Sequence, residues 1–160
     1  MSYFTDLSGT LARVNALPLL PFVQQCAGTL WLAGNGGSAA IAQHWACDLS
    51  KASHKRVQAL GCNPAVLTAW ANDTSYGAAL AAELDRLHQA GDRLLMLSCS
   101  GMSANIGQLI SYARQARIPH YLITGGMVAD VPNVRIPHDD YGIIEDCFSA
   151  IGHWLTKELA

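Results

Sequence analysis

Apolar residues in this chain follow two alternating rhythms. Short continuous runs, TLWLA at 29–33, RVQAL at 56–60, RLLMLS at 93–98, HYLIT at 120–124 and NVRIP at 133–137, have the length and branched-aliphatic character of strands. Between them lie longer stretches that read as helices over 38–50, 63–70, 76–89, 103–116 and 141–159. Apolar strands separated by helices indicate a parallel sheet covered on both faces, which is a doubly wound, three-layer αβα domain of the α/β class with five strands. Ahead of it, Leu7, Leu11, Val14 and Leu17 recur at helical spacing until Pro18 and Pro21 interrupt them. Residues 3 to about 25 therefore read as a leading helix followed by a linker turn. With no repeat, low-complexity segment or internal linker, 1–160 reads as one domain, long enough to bury a core without staples.

In such sheets ligands bind beyond the carboxyl ends of the strands. The strand at 29–33 runs into Gly34-Asn35-Gly36-Gly37-Ser38, a turn whose glycines permit positive φ and close backbone approach, with Asn35 and Ser38 supplying short polar side chains and a helix N-cap. Helix N-termini carry unpaired N–H groups and a partial positive charge, which suits a phosphate. No lysine follows as in a Walker loop, and Ala39 stands where a dinucleotide fingerprint needs glycine. The strand at 93–98 runs into a second turn of the same kind, Ser98-Cys99-Ser100-Gly101-Met102-Ser103, whose hydroxyls can donate to phosphate oxygens.

Composition narrows the picture. Hydrophobic residues make up 51% of the chain and charged residues only 14%, so some apolar surface is expected to lie between subunits. A formal net charge of −2 with no basic run gives no bulk attraction to nucleic acid or an anionic membrane. The cysteines, Cys26, Cys47, Cys62, Cys99 and Cys147, are odd in number with no C-x-x-C pair, which reads as a reducing compartment. With neither a signal-peptide pattern nor an apolar run long enough for a membrane span, the expected location is the cytoplasm.

These motifs, taken in order, resemble the sugar isomerase (SIS) domain family and, within it, the phosphoheptose isomerase branch. The resemblance rests on Gly34 to Ser38 followed by Ala42-Gln43-His44, on Asn72-Asp73, on Ser98 to Ser103, on Ile123-Thr124-Gly125, on Pro137-His138, and on Glu145-Asp146 ahead of His153. It implies a flavodoxin-like strand order and a homotetramer, or failing that a dimer, to which residues 1–25 contribute contacts. It also implies an aldose–ketose isomerisation of sedoheptulose 7-phosphate to a heptose 7-phosphate. Asn35, Gly36, Gly37, Ser38, Asn72, Asp73, Ser98, Ser100 and Ser103 would hold the sugar phosphate. His44, Asp48, Glu145 and His153 would form a metal and catalytic cluster for zinc or another divalent ion.

His44 and Asp48 are i and i+4 and so share a helix face. An enediol route needs a carboxylate to take the proton beside the carbonyl and an imidazole to move the hydroxyl proton. Asp48 is assigned as the base, His153 as the acid/base partner and His44 as ligand or orienter. Other readings stand beside these: a hydrogen-bonded core histidine at position 44, a surface ion pair of Asp48 with Lys51, and an interface role for His153. Glu145 and His153 are separated by about 12 Å of helix rise. The chain also departs from the family pattern. It has Asp48 for a glutamate, Glu145 for a glutamine, Cys99 for a threonine and Met102 for an asparagine, a segment between His138 and Glu145 one residue short, and Gly142 at an acidic position. Cys47 and Cys147 could supply thiolates to a metal or be structural. A second function class stays open, a non-catalytic SIS module that binds a sugar phosphate or acts as an adaptor, as in a tetrameric relative that associates with the bacterial replication initiator.

Overall fold

The computed structural model describes residues 2–160. Five parallel strands, β1 (Thr29–Ala33), β2 (Arg56–Ala59), β3 (Arg93–Ser98), β4 (His120–Thr124) and β5 (Asn133–Arg135), form one sheet in the order β2-β1-β3-β4-β5. The switch in strand order falls between β1 and β3, where Leu30 pairs with Arg93 and Ala33 with Met96. The two small-residue turns leave the carboxyl ends of these neighbouring strands, so the topology itself brings them to one rim.

Alternation within the strands sorts the core. Leu30, Leu32, Leu95, Leu97 and Ile123 point to one face, where they pack with Trp45, Leu49, Phe148 and Leu155. Trp31, Ala33, Leu94, Met96 and Leu122 point to the other, against Leu80, Leu84, Ile106 and Leu109. The first face is covered by α3 (Gly36–Ser53) and α7 (Tyr141–Leu159), with α1 (Tyr3–Leu11) and α2 (Leu19–Gln24) packed alongside. The second is covered by α5 (Tyr76–Leu87) and α6 (Ala104–Gln115), with α4 (Pro64–Asp73) against α5.

The expected linker turn is instead the short helix α2, and the leading helix ends at Leu11. Proline explains this: Pro18 is the N-cap and Pro21 lies in the first turn, where a missing N–H costs no helical hydrogen bond. β5 stops at Arg135, two residues short of expectation, and α3 begins at Gly36 rather than 38. No helix among the described residues is long and apolar enough to cross a membrane.

The pairing of α3 with α7 matters most for the chemistry. Gly152 lies against the indole of Trp45, so that any side-chain carbon there would collide with the ring. Trp45 Nε1 donates to the Phe148 carbonyl at 3.1 Å. A residue without a side chain lets the two helices meet closely and sets the neighbouring His44 and His153 facing each other.

Candidate active site

At the rim of the sheet, Asn35, Ser38, Ser98, Cys99, Ser100, Ser103, Tyr141 and Glu145 line one cavity of about 120 Å³. Both turns therefore reach a common space. Gly36 opens α3 with φ 54°, in the left-handed region that glycine adopts without strain. Ser98 Oγ accepts from Gly101 N and Ser100 Oγ from Met102 N, each at 3.1 Å, so each hydroxyl is oriented by a backbone amide and keeps its own O–H to donate. Ser103 is the N-cap of α6 but makes no side-chain capping bond.

Asn35 behaves differently from its expected role. It occupies the N-cap position of α3, yet its side chain makes no cap bond. Its amide instead exchanges two hydrogen bonds with Asn105: Asn35 Nδ2 donates to Asn105 Oδ1 at 2.9 Å and Asn105 Nδ2 donates to Asn35 Oδ1 at 2.7 Å. Tyr76 Oη also donates to Asn35 Oδ1, at 2.9 Å. Asn105 is buried, and this reciprocal pair ties the first turn to the helix that follows the second. Sequence reasoning passed over Asn105, Tyr76 and Tyr141. The available signal was an asparagine among the first residues of a helix, directly ahead of an isoleucine. Asn72 and Asp73 are exposed at the end of α4, bonded to each other at 3.0 Å, and do not line the cavity.

A second group lies on the facing sides of α3 and α7. His44 Nε2 is 3.1 Å from His153 Nε2 and 3.3 Å from Asp48 Oδ2, and donor atoms of the three residues all lie within 4.8 Å of one another. His44 is 51% exposed, so it is not a core histidine, and Asp48 pairs with it rather than with Lys51. The rings meet edge to face, with centroids 5.3 Å apart. The donor set fits a divalent ion: at a bond length of about 2.0–2.1 Å, tetrahedral ligands stand roughly 3.3 Å apart, and the two separations from His44 Nε2 are close to that. Three protein donors would also leave a position open.

The four-residue cluster expected from the sequence is thus divided. Glu145, two turns back along α7 from His153, points into the cavity, where its Oε1 accepts from Ser38 Oγ at 3.2 Å and lies 3.9 Å from Cys99 Sγ. Burial pushes the Cys99 thiol above its usual range, with the Glu145 carboxylate adding to the shift and the Ser38 hydroxyl opposing it. Cys147 is fully buried in the core, outside the group formed by His44, Asp48 and His153, and burial raises its thiol to about 11. Cys47 is exposed on α3.

The five-stranded sheet in this order is the flavodoxin-like doubly wound arrangement, and this chain shares it with sugar isomerase domains. The sugar isomerase domain of a Sphaerobacter thermophilus transcription factor has the same fold, at TM-score 0.66 and 15% identity over 98% of this chain and 84% of that one. No family model matches the chain. Among curated proteins, a phosphoheptose isomerase of Pelodictyon phaeoclathratiforme is 33% identical over 175 residues, covering 97% of this chain and 82% of that relative. The phosphoheptose isomerase structure from Neisseria gonorrhoeae superposes with TM-score 0.79 and 25% identity, covering 90% and 84% of the two chains. The chain belongs to the phosphoheptose isomerase family, a family of enzymes.

Proposed function

We propose that the protein is a phosphosugar aldose–ketose isomerase that interconverts sedoheptulose 7-phosphate and a heptose 7-phosphate. The observation that carries this reading is the convergence of Ser38 and Ser100 on one cavity, with a histidine–carboxylate group on the same α3/α7 pair. A volume of about 120 Å³ is well below the range of roughly 300–1,000 Å³ that encloses a whole small ligand. It suits the phosphate, held by Ser98, Ser100, Ser103 and the α3 N-terminus, with the sugar chain extending beyond it. Asn72 and Asp73 lie outside this space and would meet only the more distant part of a substrate.

In the reaction Asp48 takes the proton from the carbon beside the carbonyl, while His153 gives a proton to the carbonyl oxygen, producing an enediol. The proton held by Asp48 returns to the neighbouring carbon as the other hydroxyl gives its proton back to His153, so no atom is gained or lost. His44 holds Asp48 and His153 in register. A zinc or similar ion held by His44, Asp48 and His153 would occupy the imidazole nitrogen of His153 that faces His44, and when bound would take over from the His153 proton the polarisation of the carbonyl. Glu145 is left out of this ligand set because its carboxylate faces Ser38.

The reading extends to assembly. Leu11, Val14, Leu17 and Trp154 form an apolar surface between α7 and the end of α1 with the segment that follows it, which supports residues 1–25 of a single SIS domain contributing to a homotetramer. No site for nucleic acid or membrane enters this reading, and a cytoplasmic setting accords with the free cysteines. The test is incubation of purified protein with sedoheptulose 7-phosphate across a zinc and pH series, followed by NMR of the sugar. Aldose phosphate is expected. Recovery of unchanged substrate throughout, with stabilisation by sugar phosphate in a thermal shift, would replace the isomerase with the non-catalytic binding module.

A further inference from the structure

The Glu145 carboxylate lies over the first turn of α3. A side-chain carbon at Gly37 would collide with both of its oxygens, and Ser38, 4% exposed, gives its hydroxyl proton to one of them. Helix N-termini attract anions, and in this cavity the anion already in place belongs to the protein. A family glutamine at this position would fill the same volume without the charge.

We propose that Glu145 is an internal competitor for the phosphate: a specificity-determining residue whose carboxylate holds the anion seat and must be displaced before an external phosphate can use Ser38 and the α3 N-terminus. This rests on the cavity being the phosphate site. The physical argument is that a cavity of about 120 Å³ cannot hold two anions apart at a distance where water screens them. Entry of phosphate therefore requires the glutamate to swing away and surrender its bond from Ser38. The competition favours ligands with strong additional contacts to Ser98, Ser100 and Ser103 over free orthophosphate or other small anions. Discrimination comes from a resident charge that a weak ligand cannot evict.

The test is calorimetric titration of inorganic phosphate into wild type, Glu145→Gln, Glu145→Ala and Ser100→Ala at low ionic strength, with melting curves to show that each variant is folded. Both Glu145 variants are expected to bind phosphate about tenfold or more tighter than wild type, and Ser100→Ala more weakly. Tightening in Glu145→Ala alone would still support the proposal, because that variant removes the carboxylate without offering another acceptor to Ser38. If phosphate binds wild type in a Ser100-dependent way and neither Glu145 variant tightens it, the competitor role is wrong and the phosphate site stands. If phosphate binds none of the four proteins, or binds without regard to Ser100, the phosphate site itself is wrong and the proposal falls with it.

Discussion

The cavity at the rim and the histidine group about two to three helix turns further along α3 are built by opposite means. In the cavity nearly every polar group is already answered: Ser98 and Ser100 by backbone amides, Asn35 by Asn105 and Tyr76, Ser38 by Glu145. Glu145 apart, it is a preorganised seat made by turns and helix ends, in which side chains lose little freedom on binding. The histidine group is three side chains on helix surfaces, with His44 half in solvent and two imidazole nitrogens facing each other. Such a pair is satisfied only by a shared proton or by a cation. The first region is suited to holding, the second to moving protons, and substitutions should separate the two.

The largest separation is expected from Asp48→Asn, which removes the base: kcat should fall about 10²–10⁴-fold, while inorganic phosphate binds with unchanged affinity. Loss of both together would mean that the regions are one unit. Next is Gly152→Ala. Its methyl must push Trp45 and hence α3 away from α7, at a cost of about 1–3 kcal/mol for overpacking. Denaturant unfolding should show that loss, and zinc affinity should drop because His44 and His153 part; tight zinc binding in this variant would show that helix spacing does not assemble the group. Asn105→Ala leaves Asn35 without its partner and should weaken phosphate binding and cost about 1–3 kcal/mol of stability. Turnover per bound substrate should stay near wild type, and an equal loss in kcat would break the division.

The smallest effect is a control on the core behind both regions. Burial raises the Cys147 thiol from 9.0 to about 11, so the folded state holds a proton that the unfolded chain releases in between. Stability is then fully present below pH 9 and declines as pH rises towards 11, by on the order of 1 kcal/mol at pH 10 relative to pH 7. Cys147→Ala should flatten that slope in urea melts at a series of pH values, and an unchanged slope would assign it to other groups.

Much of this was legible along the chain. Strands at 29–33, 93–98 and 120–124 and the helix at 141–159 were readable at their observed bounds, because a strand buried on both faces must be apolar throughout. The prolines at 18 and 21 misled because a proline ends one helix and begins another with the same ring. In the candidate site, the spacing of His44 and Asp48 was enough to put them together, since a helix sets that contact locally. Glu145 was expected beside them and is not, because its direction depends on which neighbour across the fold offers a donor, and Ser38 does.

The order of apolar runs, the two glycine- and serine-rich turns and the i, i+4 pair are local properties, so the residues alone determined the layered α/β class and the chemistry available to it. Only the folded chain decided that both turns share a cavity, that Gly152 brings His153 to His44, that Asn105 braces Asn35, and that a carboxylate occupies the anion seat. Those outcomes depend on contacts between residues distant in sequence, whose geometry is set by packing across the sheet and between α3 and α7.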